Sequence, residues 1–559
     1  MYIFHLFRSF IPALNPIGFS AADFIELFVT IILVLFAIAV PRKARLPEKT
    51  GWCVLLLFIL PIALRLALLP EYPIPTPNVS DDFSYILLAD TLRHFHFANS
   101  PHPLHQFFET YFVLQQPAYG SIFPLGQGLL LAIGWTLLGN PWAGVALSIG
   151  ALCALCYWML RAWVADTWAL VGGLLAVIEF GPLNQWMNSY WGGAVSACAG
   201  CLVFGALPRL RESGRRRDAA WLGLGLALQL LTRPYESIFL LISVPLFFLP
   251  DLRRLARPAA IAALVVLPAI GLMLLQNKQA TGSWTTLPYM LSRYQYGVPT
   301  TFTVQRLPTP HRQLTREQQL DYDAQSEAHG PGTDTFAAYW TRWASRLRFY
   351  RFFMLAPLFL ALPAFLVKLR EYRFAWVLLT IFLFSLGTTF YPYFYSHYIA
   401  ALTCLFVLIA VAGLAQLSRW EIRGIAVGGE CARILLFLCA AHFVFWYGLH
   451  VSRDDALIAA MTPYETWDNI NHGDPQGRIA IQRQLLTAPG QQLVFVRYWP
   501  QHQFQEWVHN AADIDRSRIV WARDLGPEEN QRLLRYSPQR TAWLLEPDAH
   551  PPRLAVYPK

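Results

Sequence analysis

Two adjacent carboxylates, Asp81 and Asp82, follow an apolar segment and a proline-rich turn at residues 70–77. Apolar side chains at positions 83, 86 and 87 recur with helical spacing, so both acids are predicted to lie in the first turn of a helix. A carboxylate held there can act as a general base toward a hydroxyl or an amine. The spacing also fits a helix cap, because an aspartate at a helix start accepts backbone N–H bonds and meets the positive end of the dipole.

The composition indicates that membrane helices position this pair. Of 559 residues, 55% are hydrophobic and 14% are charged, against about 25% charged in a soluble protein. The mean hydropathy is +0.36. The net charge of +9 comes from short basic clusters between apolar segments, which is the positive-inside pattern and not that of a nucleic-acid partner.

The apolar segments predict an α-helical polytopic membrane protein with about twelve hydrophobic helices in a domain at residues 1–450. Alternation of the basic clusters places two long loops, residues 71–141 and 277–348, on the outer side together with the acid pair. The middle of the second loop, 307–335, is polar and is expected to be mobile. The predicted spans are 24–40, 53–69, 142–160, 168–180, 194–207, 220–231, 238–249, 258–275, 352–367, 374–390, 399–417 and 434–449.

Two of these segments, 220–231 and 238–249, are each about twelve residues or roughly 18 Å long, which is short for a full crossing. Basic residues flank both outer ends, so the pair is predicted to form a helical hairpin. Its apex carries Arg233 and Glu236. Charges placed deep in a membrane are usually paired or functional, so the two residues either contact a substrate or satisfy each other in the turn.

Several polar residues of the first outer loop are candidate contacts for a sugar or an acceptor, or else ordinary loop side chains. They are Glu109, Gln115, Gln116 and Tyr119. An aromatic run at residues 391–398 is either an interfacial belt or part of a binding site.

The histidines and cysteines do not predict a metal site. Four histidines of the first loop lack a diagnostic ligand spacing, so no metal ligand is assigned and no cofactor is required, although a divalent metal stays open. All eight cysteines fall in or at the ends of apolar segments and are expected to pack as small hydrophobic residues. The histidines are His94, His96, His102 and His105.

The remaining segment, residues 451–559, has the composition of a soluble domain. Short strands are predicted at 493–498, 519–522 and 542–545, and helices at 478–486 and 527–536. This pattern predicts a small external α/β domain.

The motifs together resemble a known group of enzymes. The acid pair followed by Tyr85 is similar to the Asp-Glu-x-x-Tyr motif of the GT-C superfamily of polyprenyl-phosphate-sugar-dependent transferases. This superfamily includes protein O-mannosyltransferases, the lipid A aminoarabinose transferase and RgtA/B/C/D-like enzymes. Further resemblances are 123–132 with 137–139 (a loop helix), 231–236 (the hairpin) and Ser396-His397-Tyr398, and the resemblance as a whole covers about residues 55–414.

The resemblance implies a GT-C-like fold and an integral-membrane glycosyltransferase. Such an enzyme moves a hexose or pentose from a polyprenyl-phosphate donor to an extracytoplasmic glycan, lipid or protein acceptor, with Asp81 as general base. The topology and composition suit a multi-pass protein of a bacterial inner membrane, with the C-terminal domain on the periplasmic or extracellular side. The expected substrate-binding residues are Asp82, Tyr85, Glu109, Gln116, Tyr119, Arg233, Glu236, Arg293, His397 and Tyr398.

One departure from the pattern concerns the donor phosphate. Some relatives have a lysine just before the prolines of the loop helix, whereas residues 121–124 contain no cation. The hypothesis is that Arg233, Arg293 or His397 supplies the positive charge. Two alternatives remain, a transporter or flippase of lipid-linked sugars and a catalytically inactive scaffold. The absence of an internal repeat and the short cytoplasmic loops weigh against transport.

Overall fold

The computed structural model describes residues 28, 31–32, 50–77, 79–451 and 477–558. The predicted span at 24–40 and the domain boundary at 451 therefore lie largely or partly outside the described residues. The helices are α1 (Thr50–Ala67), α2 (Ser80–Arg93), α3 (Leu125–Leu138), α4 (Trp142–Leu160), α5 (Asp166–Phe180), α6 (Ala194–Ser213), α7 (Arg216–Thr232), α8 (Pro234–Phe247), α9 (Ala256–Thr281), α10 (Pro288–Tyr296), α11 (Arg316–His329), α12 (Phe336–Arg346), α13 (Leu362–Leu366), α14 (Tyr372–Thr388), α15 (Thr403–Leu417), α16 (Gly428–Val451), α17 (Arg478–Thr487) and α18 (Pro527–Tyr536).

The described helices make the chain a multi-pass membrane protein. Six are long and apolar enough to cross a bilayer, and three shorter apolar helices accompany them, so the expected count of twelve is not confirmed. Burial separates the centre of the bundle from its edge. In α6 and in Ser396–Leu417, 89% of the apolar membrane-crossing stretch is buried inside the protein, whereas in Leu249–Thr281 only 17% of it is buried. The six are Thr50–Ala67, Trp142–Leu160, Ala194–Ser213, Leu249–Thr281, Ser396–Leu417 and Gly428–Val451.

The continuous span predicted at 352–367 is wrong. This part of the chain folds as consecutive short pieces, two of which carry a proline in their first turn, Pro357 and Pro363. A proline has no N–H to donate and its ring clashes with the preceding turn, so each one starts a new piece instead of continuing the old one. The pieces are Leu347–Phe353, Ala356–Ala361, α13 and Val367–Arg370.

The helical hairpin forms as predicted. Helices α7 and α8 meet at Arg233, whose φ of −141° and ψ of 80° interrupt the helical path. The proline at position 234 occupies the first turn of α8, where its missing N–H costs nothing. The hairpin apex is thereby turned toward the outer loops.

The outer loops are more structured than the sequence predicts. A two-stranded antiparallel pair, β1 (Val113–Leu114) and β2 (Gly120–Ser121), stiffens the first loop. In the second loop, the stretch expected to be mobile contains α11. A capping box starts this helix: Thr315 accepts from the Gln318 N–H, and the Gln318 side chain accepts from the Thr315 N–H.

The C-terminal domain is an α/β unit, as predicted. Its four strands lie in the order β4-β3-β5-β6; β3 is parallel to β4 and β5, and β6 is antiparallel to β5. The central strand β3 is buried along its whole length because α17, α18 and the outer loops cover it. The strands are β3 (Gln492–Val496), β4 (Ile519–Arg523), β5 (Thr541–Glu546) and β6 (Arg553–Val556).

Candidate active site

The acid pair lies in the first turn of α2, as predicted, but its two members have different surroundings. The N-cap residue is Val79, and the helix has no side-chain cap. Asp82 is buried, and its Oδ1 accepts hydrogen bonds from the backbone N–H groups of Tyr190 (2.8 Å) and Trp191 (3.1 Å). Asp82 therefore ties the start of α2 to the turn between α5 and α6.

Asp81 keeps part of its surface accessible although protein surrounds it. Within the described chain it accepts no hydrogen bond from another residue. The pKa of its carboxyl is raised to about 7, chiefly by burial; the negative charges of Asp82 and Asp321 also raise it, and the positive charge of Arg233 lowers it. A carboxyl with a pKa near 7 is about half deprotonated at neutral pH and can still accept and hold a proton, which suits general base catalysis.

Asp321 is a site residue that the sequence analysis missed. It lies on α11, and burial raises its pKa to about 6, opposed by the hydrogen bonds that Gln325 Nε2 donates to both carboxylate oxygens at 3.0 and 3.1 Å. The capping box before α11 is a recognisable sequence signal for this helix. The long-range approach of α11 to α2 has no comparable local signal.

The hairpin apex brings a cation to the same place. The Arg233 guanidinium lies 4.9 Å from the ring centroid of Tyr398, and no hydrogen bond from it to any described residue is formed. Glu236, buried in the first turn of α8, lies close enough to interact electrostatically with Arg233. The structure thus brings Arg233 and Glu236 together with Asp81 and Tyr85.

A glycine allows the close approach of the loop helix to this apex. A Cβ on Gly126 would lie 2.1 Å from Thr232 Oγ1 and 3.0 Å from Thr232 Cα. In front of Gly126, the ring of Phe123 stacks on Tyr85 at 4.4 Å. The loop helix motif, which carries no cation of its own, is therefore packed directly against the segment that carries Arg233.

The aromatic run at 391–398 lines the inside of the protein more than its surface. His397 is buried and packs against Trp191 at 4.8 Å and Tyr398 at 4.7 Å. Tyr391 lies 5.8 Å from Tyr398, and Tyr395 is the exposed member of the run. Both motif residues, His397 and Tyr398, thus lie beside Arg233, which favours a binding site over a belt.

Arg293 lies at the edge of this region. Its Nε donates to the Pro299 carbonyl at 3.1 Å and its Nη2 to the Thr300 carbonyl at 3.3 Å. Its guanidinium also faces the ring of Tyr289 at 5.8 Å. It is more fully engaged with the protein than Arg233.

The first-loop candidates Glu109, Gln116 and Tyr119 all have partners within the protein. Glu109 accepts from Arg312 Nη2 at 2.6 Å and from the Tyr296 hydroxyl at 2.9 Å. Gln116 Nε2 lies 2.8 Å from His105 Nε2, and the Tyr119 hydroxyl donates to the Asn510 carbonyl at 3.1 Å. These contacts favour a structural role for Glu109, Gln116 and Tyr119 in joining the outer segments.

The C-terminal domain packs against α2 itself. The His509 ring stacks on Phe83 at 4.0 Å, and the Arg478 guanidinium lies 4.5 Å from the same ring. Asp90 Oδ2 accepts from the Ala512 N–H at 2.9 Å. Because Phe83 follows the acid pair directly, the C-terminal domain fixes the helix that carries Asp81.

A buried ionic junction joins the same domain to the second loop. Arg523 forms ion pairs with Glu506 at 2.9 Å and with Glu317 at the start of α11. Glu506 also accepts from the Tyr498 hydroxyl and from the backbone N–H groups of residues 507 and 508. This junction holds α11, and with it Asp321, against the rest of the outer face.

Two of the first-loop histidines, His94 and His102, contact different partners. His94 Nδ1 lies 2.8 Å from the Asp90 carbonyl, and His102 Nε2 lies 3.3 Å from Asp515 Oδ1. Throughout the described ranges, no group of three or more His, Cys, Asp or Glu side chains is arranged to hold a metal ion.

Comparison with known proteins gives the fold. No family model and no curated relative matches the sequence. Among solved structures, ArnT from Cupriavidus metallidurans in the apo state matches with a TM-score of 0.50 at 12% identity, over 89% of this chain and 93% of that chain. The chain has the fold of the GT-C glycosyltransferases.

Two further GT-C structures match less closely. ArnT from the same organism bound to undecaprenyl phosphate has a TM-score of 0.48 at 11% identity, over 89% of this chain and 93% of that chain. The oligosaccharyltransferase of Archaeoglobus fulgidus in complex with Zn and sulfate has a TM-score of 0.43 at 11% identity, over 88% of this chain and 67% of that one. The expected GT-C-like architecture is confirmed by the apo ArnT match.

Proposed function

We propose that this protein transfers a sugar from a polyprenyl-phosphate donor to an acceptor on the outer side of the membrane, with Asp81 as the general base. The observation that carries the proposal is the partly accessible Asp81 carboxylate, with its pKa raised to about 7, beside the Arg233 guanidinium. The GT-C fold supports glycosyl transfer as the reaction class.

In the proposed step the acceptor is an alcohol or an amine. Its proton passes to the Asp81 carboxylate while its heteroatom attacks the anomeric carbon of the donor sugar. The bond between that carbon and the phosphate oxygen breaks, and the polyprenyl phosphate leaves with an additional negative charge. A leaving phosphate needs a cation and hydrogen-bond donors more than it needs a general acid.

Arg233 is the cation that we assign to the departing phosphate. Its guanidinium contacts the Tyr398 ring at 4.9 Å and keeps its N–H donors free of hydrogen bonds to any described residue. Arg293, by contrast, donates to two backbone carbonyls. Because Gly126 packs closely against Thr232, Arg233 lies next to the loop helix. Arg233 can therefore supply the positive charge that the missing lysine of the loop helix would supply.

A lipid-linked donor fits the position of the site. The acid pair lies in an outer loop by the charge rule, where no nucleotide sugar is expected. A polyprenyl chain anchored in the bilayer brings an activated sugar to that surface. The resemblance of the sequence motifs to polyprenyl-phosphate-sugar-dependent enzymes supports the same donor class.

The test profiles polyprenyl-phosphate sugars by mass spectrometry in a host strain that lacks this protein. We expect one lipid-linked sugar to accumulate and wild type to clear it. Asp81→Asn should slow clearance about 10²- to 10⁴-fold because the base is lost. Asp323→Asn is the matched control, since Asp323 is an exposed acid of the second outer loop.

The opposite result would reverse the assignment. If Asp81→Asn, present at the wild-type level in the membrane, clears the lipid as fast as wild type does, then Asp81 is not the base. Transport of the lipid-linked sugar without chemistry would then be the better explanation.

A further inference from the structure

A basic pocket lies at the opposite end of the bundle from Asp81. Helix α4 starts beside the segment that binds Asp82, since Trp142 Nε1 donates to the Met187 carbonyl at 2.8 Å. It ends at Arg161 after 19 residues, which is roughly 28 Å along its axis and about one bilayer thickness. The basic pocket has a volume of about 310 Å³ and is lined by Arg161, Lys368, Arg373 and Arg419 and by the rings of Trp168 and Phe374.

Three separate turns build this pocket. They are the turn from α4 to α5, the turn before α14 and the end of α15, and each contributes at least one cation. Convergence of like charges from three turns costs free energy unless an anion compensates it. The arrangement is therefore unlike a single flanking charge that anchors one helix end.

One of the four cations is neutralised within the protein. Arg161 forms a bidentate pair with Asp166, with Nε–Oδ1 and Nη2–Oδ2 distances of 2.9 and 3.0 Å. Its remaining Nη1 donates to Thr50 Oγ1 at 2.8 Å. This pair forms one wall of the pocket and contributes no excess charge.

The other three cations exceed their partners by two charges. Lys368 and Arg373 share one carboxylate, Glu371, at 2.9 Å each. Arg419 is exposed and has no ion-pair partner among the described residues. The side chains of Lys368 and Arg373 remain 22% and 39% exposed, so a ligand can reach them.

The surroundings of the pocket favour a lipid over a free anion. Leu366 and Val367, directly before Lys368, are exposed apolar residues, which in a membrane protein face the acyl chains. On α14, Leu378 and Ile381 follow Phe374 at i+4 and i+7 on the same helix face. Both line an apolar groove of about 430 Å³.

We propose that the basic pocket binds the headgroup of a dianionic phospholipid of the cardiolipin type, with an acyl chain along the groove of Leu378 and Ile381. Two phosphates match the two excess charges. Basic pockets between membrane helices bind such headgroups in general. The site is separate from the proposed transfer reaction and does not depend on it.

The test measures the binding of defined lipids to the purified full-length protein by native mass spectrometry and by thermal shift in detergent. We expect cardiolipin to bind and to raise the melting temperature, and phosphatidylethanolamine to do neither. The double variant R373Q/R419Q removes the two excess charges. At roughly fivefold per charge, its affinity for cardiolipin should fall about 25-fold.

The matched control is R215Q/R216Q, which removes two exposed arginines from the turn between α6 and α7 on the same side of the bundle. The proposal is overturned if this control weakens cardiolipin binding as much as R373Q/R419Q does, because the effect would then be general surface attraction. Equal protection by glycerol phosphate or inorganic phosphate would also overturn it, since the pocket would then take a free anion. If R373Q/R419Q does not fold, R419Q alone provides the comparison, with about a fivefold loss expected.

Discussion

Two clusters of charge, one at Arg523 and one at Asp81, are built from the same residue types but differ in how many hydrogen bonds and ion pairs their members form. At the junction between the second loop and the C-terminal domain, Arg523 pairs with two carboxylates, and Glu506 has further donors. At the candidate site, neither Asp81 nor Arg233 exchanges a hydrogen bond with another described side chain. A saturated cluster fixes structure, whereas an unsaturated one keeps its bonding capacity for a ligand.

The pKa values express the same difference. At the junction, burial alone would lower the pKa of Arg523, but the charges of Glu506 and Glu317 reverse this and raise it. At the site, burial dominates and raises the pKa of Asp81. The junction therefore stabilises its ionised form, while the site holds a carboxylate that exchanges its proton near neutral pH.

The largest structural effect is expected from breaking the saturated cluster. Arg523→Met leaves Glu317 and Glu506 buried without their cation and should lower the free energy of unfolding by about 3–5 kcal/mol. Thermal or denaturant unfolding in detergent measures this loss. The triple change R523M/E317Q/E506Q should recover most of it, and a triple variant as unstable as Arg523→Met would contradict the comparison.

Breaking the unsaturated cluster should affect activity above all. Arg233→Met removes the cation assigned to the leaving phosphate and should lower kcat about 10²- to 10³-fold. Arg293→Met is the comparison variant and should lose much less, because Arg293 is engaged by backbone carbonyls. Equal losses in the two variants would mean that Arg233 has no special role.

Asp82 is expected to behave like the junction although it adjoins Asp81. Asp82→Ala leaves the N–H groups of Tyr190 and Trp191 without their acceptor and should cost about 1–3 kcal/mol of unfolding free energy. Asp82→Asn keeps an acceptor oxygen and should be close to wild type in stability. The melting temperatures of the two variants test this difference. An Asp82→Ala variant as stable as wild type would show that the hydrogen bonds from Tyr190 and Trp191 to Asp82 are dispensable.

The pH profile should reveal the titration of the base. Activity is expected to rise about tenfold per pH unit below pH 7 and to level off above it, since Asp81 must be deprotonated and its pKa is about 7. Asp82→Asn removes a charge that raises this pKa, so its acid limb should move to lower pH. An unchanged limb in Asp82→Asn would assign the titration to another group.

The same titration has a consequence for stability. Because the pKa of Asp81 in the folded state lies above that of the unfolded chain, its contribution to stability is present at low pH and is lost as pH rises through about 7. Asp81→Asn should therefore gain in melting temperature relative to wild type between pH 5 and pH 8. A constant difference across this range would contradict the raised pKa.

The sequence predicted those parts of the site that depend on local signals. Helical spacing placed the acid pair in a first turn, and short apolar halves with flanking basic residues predicted the hairpin with Arg233. The span at 352–367 failed because hydropathy does not register the interruption by Pro357 and Pro363. Asp321 was missed because its approach to Asp81 depends on packing between segments about 240 positions apart.

The role of the C-terminal domain could not be predicted for a related reason. Its strands and helices follow from local patterns, but no local pattern shows that His509 stacks on Phe83. The alternation of apolar and polar residues predicts where a strand lies in the sequence, but it does not predict which distant helix packs on that strand. Composition likewise could not separate the unsaturated Arg233 from the engaged Arg293.

The hydrogen bond between Asp90 and Ala512 spans 422 positions. A ribosome that adds about 5–20 residues per second needs roughly 20–80 s to make the chain between them. During that time α2 has left the translation machinery without the domain that later covers Phe83. Helix α2, which carries Asp81, would thus be fixed in place only late in biogenesis, when residues 478–557 have been made.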